Sequence, residues 1–271
     1  MSARQFLTPQ RREVLQLLAD YQYLRTPDFY HLMKRSGPHE ERGVRRLLML
    51  LAQAGLVERS RHAVDDPTDP FLRYQHCYRL TRAGQRVIGG GHAAVEKSPA
   101  SIDHELAITD FHIALAEWTP VTHRIYWRQT DLKRSVNPDA LFAVTDTTKP
   151  REQSTIYYFL EVEYSRQGHY RAGDSGLLAK LRRYAEYRRA EACRREWQHF
   201  GDFRVVVVLR TRERQENLLR VLAERLPTTA IWTTTAEDVA RDITGPIFRA
   251  PPNSNDTAHS LFGKTKGENN G

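Results

Sequence analysis

The sequence predicts an α+β protein, with a small N-terminal domain of helices and one hairpin followed by a larger α/β domain with a central mixed sheet. Residues 1–90 contain repeated helix starts and two strand-like runs. Residues 102–250 follow the order helix, three strands, helix, strand, helix and short strand. Elements in that second order favour a sheet with helices on its faces. Gly89–Gly91 marks a linker between the two parts.

The composition is that of a globular protein. The 271 residues, 40% hydrophobic and 27% charged, leave room for one large or two ordinary domains. No run approaches the roughly 20 apolar residues of a membrane span, and no secretory signal is visible. Cys77 and Cys193 are too far apart in sequence to suggest a zinc site or a disulfide framework. We therefore expect a cytoplasmic protein.

Positive charge is concentrated in the first third of the chain. Residues 1–98 hold 16 Lys and Arg against 10 Asp and Glu, a net of +6, whereas the remaining residues hold 25 against 23, a net of +2. A basic domain binds nucleic acid by neutralising phosphates and releasing counterions. Double-stranded DNA is therefore the expected partner, and a merely soluble basic surface is the alternative.

Residues 1–90 have the layout of a winged helix-turn-helix. Thr8-Pro9 and Thr26-Pro27 each combine an N-cap with a proline at the first helical position. The elements that follow are a third helix, two strands and a closing helix: about Glu40–Ala54, Leu56–Arg59, Tyr74–Leu80 and from Thr81. In this layout the third helix enters the major groove and the hairpin follows the DNA backbone.

Six arginines are the candidate DNA contacts. Three lie on the third helix and three on or beside the hairpin: Arg42, Arg45, Arg46, Arg59, Arg61 and Arg73. Arginine reads guanine edges and binds phosphates. Three arginines within five residues are also common on solvated helices, and winged helices can mediate dimerisation or protein contacts instead. A homodimer is therefore a possible assembly.

The second domain begins after a linker at residues 91–101. Its predicted elements are helix 102–118, strands 125–129, 139–144 and 156–163, helix 175–192, strand 203–209, helix 212–226, strand 230–233 and helix 237–242. This is the core order of the PD-(D/E)XK, or restriction-endonuclease-like, nuclease fold. Residues 251–271 are polar and predict a disordered tail.

Two carboxylates are predicted to meet at one end of the hairpin in this domain. Asp139 opens its first strand and Glu161 ends its second, and strands of similar length bring both to the same edge. Hard cations such as Mg²⁺ or Mn²⁺ prefer such oxygen ligands. Glu163 shares the face of Glu161 because side chains alternate. The alternatives are an arginine partner for Glu161 and a solvated strand end for Glu163.

Other residues complete the candidate site. Glu105, on the preceding helix, is a further metal-ligand candidate or a surface glutamate. The nuclease pattern expects a lysine at position 163, where this chain has glutamate, and Lys180 on the next helix supplies a positive charge instead, unless it is simply solvated. Tyr184 shares the face of Lys180, either as a covalent nucleophile or as packing.

The runs "NPDALFAV" and "FLEVEYSRQGHY…LLAKLRRYAEY", after a winged helix, resemble the replication-relaxation protein family over roughly residues 8–245. That family includes the MobC-type relaxases of mobilisable plasmids. The resemblance implies that Asp139 and Glu161 are the metal-binding acids and that Lys180 and Tyr184 form the helix pair. It also implies nicking at an origin of transfer or a role in starting plasmid replication, with other transfer or replication proteins as possible partners.

Two functions remain open from the sequence. The first is a metal-dependent DNA nickase, and the second is a DNA-binding accessory factor or regulator with a degenerate nuclease fold, which the glutamate at position 163 favours. A protein-interaction adaptor is a third, less favoured function. The chain has no Gly-x-x-x-x-Gly-Lys-Ser/Thr motif and no His-hydrophobe-His triplet, which argues against a P-loop motor and against most other relaxases.

Overall fold

The secondary structure follows the predicted order, with two short additions, β1 and α7. The computed structural model describes residues 7–33, 40–63, 74–89, 97–129, 134–150, 153–164, 176–197, 202–251 and 258–262. The helices are α1 (Pro9–Tyr21), α2 (Thr26–Met33), α3 (Glu41–Gln53), α4 (Arg82–Ile88), α5 (Pro99–Trp118), α6 (Leu177–Arg189), α7 (Ala192–Glu196), α8 (Arg212–Arg225) and α9 (Ala236–Asp242). The strands are β1 (Leu24–Arg25), β2 (Val57–Ala63), β3 (Tyr74–Leu80), β4 (His123–Arg128), β5 (Ala140–Asp146), β6 (Thr155–Glu163), β7 (Phe203–Leu209) and β8 (Ile231–Thr235).

The first unit, Met1–Ile113, combines α1 to α4 with a three-stranded antiparallel sheet of order β1-β3-β2. The helices and one sheet face bury a common apolar core that includes Leu15, Phe29, Leu48 and Tyr78. Gly84 permits α4 to approach the start of the hairpin, because a Cβ there would lie 2.1 Å from the carbonyl oxygen of Leu56. Three helices, a hairpin and a closing helix are the elements that the sequence predicts.

The boundary between the units differs from the predicted linker at residues 91–101. The division falls between Ile113 and Ala114, inside α5. The reason is that the first half of α5 packs on the first unit, where Leu106 joins Tyr23 and Cys77 in a small buried cluster. Residues 90–96, which include most of the glycine run and the predicted linker, lie outside the described residues.

The second unit, Ala114–Gly271, contains a five-stranded mixed sheet of order β4-β5-β6-β7-β8. The pairs β4–β5 and β5–β6 are antiparallel, whereas β6–β7 and β7–β8 are parallel. Strand β7 lies between two parallel neighbours, which accounts for its continuous apolar run. The predicted α+β class with a central mixed sheet is confirmed.

One face of this sheet is covered by α6. Leu181 and Tyr184 of α6 join Phe159 and Phe203 of the sheet in one buried core. The predicted helix 175–192 is interrupted, because Glu191 adopts a left-handed backbone with φ of 51° and separates α6 from α7. Within the part of the chain that the structure describes, we find no helix both long and apolar enough to span a membrane.

The predicted disordered tail, residues 251–271, is corrected at residues 258–262. The His259 N–H donates to the Phe248 carbonyl at 2.7 Å, and the Phe248 N–H donates to the His259 carbonyl at 3.1 Å. Leu261 and Phe262 are buried. The polar composition of the tail concealed these two apolar residues, whose burial holds the segment on the second unit.

Candidate active site at the edge of the mixed sheet

The pairing of β5 with β6 sets Asp139 opposite Glu161. Ala140 pairs with Leu160, and Asp139 directly precedes Ala140. The Asp139 N–H donates to the Leu160 carbonyl at 3.0 Å, and the Val162 N–H donates to Oδ2 of Asp139 at 2.8 Å. Both the backbone and the carboxylate of Asp139 are therefore fixed at this end of the paired strands β5 and β6.

Glu161 is buried beneath α6 and is bonded through both carboxylate oxygens. Strand alternation directs its side chain to the face that α6 covers, where the residue is 2% exposed. Tyr184 donates its hydroxyl hydrogen to Oε1 at 2.5 Å, and the Lys180 ammonium contacts Oε2. Lys180 Nζ also lies 3.6 Å from Oδ1 of Asp139. The two residues of α6, one turn apart, thus reach the same carboxylate.

The electrostatics of the four side chains are coupled. Burial, followed by the neighbouring charge of Asp139, raises the pKa of Glu161 to about 8, although Lys180 and Tyr184 oppose the rise. Burial lowers the pKa of Lys180, but the charges of Asp139 and Glu161 outweigh it and raise the pKa above its usual value. Burial and then Glu161 raise the pKa of Tyr184. The charged form of Glu161 is therefore favoured by a nearby cation, and the Lys180 ammonium provides one.

The other two predicted acids are Glu163 on β6 and Glu105 on α5. Glu163, the last residue of β6, is half-buried and lies two residues beyond Glu161 on the same face of the strand. Glu105 is buried in the first unit, where it forms an ion pair with Lys97. Among the described residues there is no group of three or more His, Cys, Asp or Glu side chains with metal-ligand geometry. The candidate cation ligands are thus a pair.

A carboxylate pair is compatible with Mg²⁺ or Mn²⁺. Such ions are commonly held by one or two carboxylates and complete their coordination with water and substrate phosphates. In this structure the Lys180 ammonium lies beside both Asp139 and Glu161, which is a position of strong attraction for a cation. Oxygen donors and a buried negative charge are what a hard divalent ion requires.

The predicted DNA contacts are exposed where the structure describes them. Arg42, Arg45 and Arg46 are exposed on α3, and Arg45 pairs with Glu41 at 2.6 Å. Two more arginines are exposed on β2, at positions 59 and 61. Arg73 lies outside the described residues.

A second group of side chains, around Trp197, was not predicted from the sequence. The guanidinium carbons of Arg128 and Arg134 lie 5.9 and 5.4 Å from the ring centre of Trp197. Glu196 accepts hydrogen bonds from Tyr187 at 3.0 Å and from Ser135. The basic and aromatic run "RIYWR" was a signal for Arg128, because basic and aromatic side chains together are typical of nucleic-acid interfaces, but it does not include Arg134 or Trp197.

The fold and the site together define an α+β protein with a carboxylate–lysine site at the ends of two neighbouring strands of a mixed sheet. The chain belongs to the replication-relaxation family, whose model matches residues 15–204, as the motifs around Asp139 and Glu161 predicted. Family membership supports a role in DNA processing.

Comparison with solved structures finds similarity to the restriction endonuclease FokI, at 12% identity and a TM-score of 0.32, over 85% of this chain. This chain spans 43% of that nuclease, less than half of its length. A search of curated protein sequences gave no significant match.

Proposed function

We propose that this protein is a divalent-metal-dependent nickase that acts on origin DNA of a plasmid or integrated element, with a winged-helix unit that binds the duplex. The observation that supports cleavage is the meeting of Asp139, Glu161 and Lys180 at one sheet edge. Two acids from adjacent strands and one lysine are the apparatus of a restriction-endonuclease-like site.

Asp139 and Glu161 are the residues that would hold Mg²⁺ or Mn²⁺, which when bound supplies Lewis-acid activation of a phosphodiester. The carboxylate of Asp139 is oriented by the Val162 N–H, and that of Glu161 by the Tyr184 hydroxyl. Such orienting contacts fix ligand geometry and commonly alter metal affinity. The chain thus holds the two acids in place before DNA arrives.

Lys180 and Tyr184 have different roles in this proposal. The flexible stem of Lys180 lets its ammonium donate to a non-bridging phosphate oxygen as negative charge develops there. Tyr184 is 1% exposed and bonded to Glu161, so it is a positioning residue and not the covalent nucleophile considered from the sequence. A water molecule is then the attacking group. Its oxygen bonds phosphorus and loses a proton to solvent, while one phosphorus–oxygen ester bond breaks and the leaving oxygen takes a proton from solvent.

The alternative is an accessory factor or regulator that binds DNA without cutting it. The observation that favours it is that the Lys180 ammonium already contacts both carboxylates without a metal. Position 163 also carries glutamate where the nuclease pattern expects lysine. In this alternative the four side chains are a buried polar network with a structural role.

Nicking of supercoiled plasmid distinguishes the two functions. The protein is incubated with origin-bearing supercoiled plasmid and Mn²⁺ or Mg²⁺, and open-circular product is followed on agarose. Asp139→Asn should abolish nicking, whereas the matched control Asp146→Asn, at the other end of β5, should retain it. Nicking that survives Asp139→Asn, or no nicking with either metal, would exclude the enzymatic proposal.

The winged-helix assignment has its own test. Replacing Arg42, Arg45 and Arg46 with glutamine should weaken binding to the origin duplex and lower the slope of log K against log salt by up to about three. The control replaces Arg12, Arg82 and Arg86, which are exposed on α1 and α4, with glutamine. Equal affinities and slopes for the two triple variants would show that α3 is not the recognition helix.

A further inference from the structure

The edge strand β4 exposes basic and aromatic side chains toward the face of the sheet that carries the active-site acids. Arg124, Tyr126 and Arg128 alternate along this strand and therefore share one face. Tyr126 is 53% exposed, and Arg124 is exposed as well. The ring of Tyr126 is therefore open to solvent between two arginines.

The pairing register connects this face with the carboxylates. Arg128 pairs with Leu141, and Leu141 lies two residues after Asp139 on β5. Directly paired residues share a face, and so do residues two apart, so Arg128 projects from the same side as Asp139 and Glu161. The strand rise and the spacing between strands place the Cα atoms of Arg128 and Asp139 roughly 8 Å apart.

Arg134 extends the positive charge toward the start of β5. Its guanidinium and that of Arg128 both lie near the indole of Trp197, which itself belongs to the buried core beneath α6. Glu196 fixes the segment by accepting hydrogen bonds from the backbone N–H of Ser135, at 3.3 Å, and from its hydroxyl. Two guanidinium groups are thus held near one indole, and Arg134 lies on the segment that leads into Asp139.

We propose that Arg124, Tyr126, Arg128 and Arg134, here called the basic stripe, bind the DNA strand that is cut, on one side of the scissile phosphate. The arginines bind successive phosphates and the exposed tyrosine ring stacks on a base. Charge complementarity favours a nucleic-acid strand over an apolar partner. The inference rests on the proposed function, because the stripe leads to the proposed cleavage site.

The test measures binding without cleavage. All variants are made in the full-length Asp139→Asn protein, and a fluorescein-labelled origin oligonucleotide is titrated by anisotropy at several salt concentrations. Arg124→Gln/Arg128→Gln should raise Kd roughly tenfold or more at 0.1 M salt and lower the salt slope by about two. The matched control Arg220→Gln/Arg225→Gln, exposed on α8, should change the slope by much less.

A conservative variant separates a direct contact from misfolding. Arg128→Lys keeps the charge but loses the planar group that stacks on Trp197, so Kd should rise less than with Arg128→Gln. The thermal midpoint of each variant is measured in parallel. When the labelled origin oligonucleotide is used in single-stranded form, Tyr126→Ala should weaken its binding by roughly fivefold or more.

The two proposals fail in different ways. Equal Kd values and equal salt slopes for the stripe variant and the α8 control would overturn the stripe, even if the parent protein with Asp139 nicks plasmid normally. Absence of nicking by the parent, with the binding difference intact, would overturn the nickase proposal and leave the stripe as a DNA contact.

Discussion

Replacing Lys180 with methionine removes the only cation among the described residues that the structure shows in contact with both acids of the candidate site, Asp139 and Glu161. At a pH above about 8, where Glu161 carries its charge, breaking a buried ion pair by removing one partner costs about 3–5 kcal/mol. The Lys180 side chain is 26% exposed and that of Glu161 only 3%, so partial solvation of the lysine reduces the expected loss to about 2–3 kcal/mol. For a unit of this size that is a fall in Tm of roughly 5–10 °C in the presence of EDTA.

The same variant should gain more stability from Mn²⁺ than the parent protein does. Binding to the folded state alone adds about 2.7 kcal/mol at a ligand concentration 100 times Kd, which approximately restores the loss. In the parent, the Lys180 ammonium opposes entry of a second cation between Asp139 and Glu161, so the gain is smaller. Differential scanning fluorimetry with EDTA and with a series of Mn²⁺ concentrations measures both effects.

Two further variants serve as controls for this result. Lys149→Met removes an exposed lysine that pairs with Asp146 near the surface, and it should change Tm little. Glu161→Gln/Lys180→Met removes one charge of each sign and should recover much of the stability, while losing the response to Mn²⁺. If Mn²⁺ does not stabilise Lys180→Met, the carboxylate pair is not a divalent-cation site. If it stabilises the variant no more than the parent, Lys180 does not compete with the metal, and the reasoning is refuted in either case.

Three other variants test particular contacts. Tyr184→Phe should lower the free energy of unfolding by about 1.5–3 kcal/mol and weaken Mn²⁺ binding measured by calorimetry, and unchanged Mn²⁺ affinity would contradict its positioning role. Arg25→Met leaves the buried Asp28 and also Asp110 without their guanidinium, so urea unfolding should show a loss of about 3 kcal/mol, which Arg25→Lys recovers only in part. Leu261→Ala should cost about 2–4 kcal/mol, and a change below about 0.5 kcal/mol would show that the C-terminal segment does not belong to the core.

The acids of the site were predictable because they depend on local geometry. Strand alternation and matched strand lengths are enough to bring Asp139 and Glu161 to one edge, and the register of β5 with β6 has this arrangement. Helical periodicity likewise assigns Lys180 and Tyr184 to one face of α6. Periodicity does not show which residue of the sheet that helix face covers. The expectation that it covers Glu161 came from the order of elements in the family.

Contacts between distant segments were not predictable. Trp197 lies more than 60 residues after Arg128 and Arg134, and neither propensity nor periodicity relates the three. The same applies to α5, whose Leu106 packs on Cys77 although a glycine run separates them in sequence. Glycine and polar composition predict a linker well only when no apolar residue beyond it has a surface on which to pack.

Position 163 carries glutamate where the nuclease pattern expects lysine, and this has a consequence for how the proposed site would work. A lysine on β6 would be fixed by the strand beside Glu161, whereas Lys180 reaches the acids from α6 by a four-carbon stem with 26% of its surface exposed. Such a side chain can pair with the buried acids in the absence of metal, and its stem would let it turn toward a phosphate if a divalent cation were held by Asp139 and Glu161. The contact of Lys180 with both acids, which at first sight favours a non-catalytic protein, therefore also fits a nickase whose folded state is stable before metal and DNA bind.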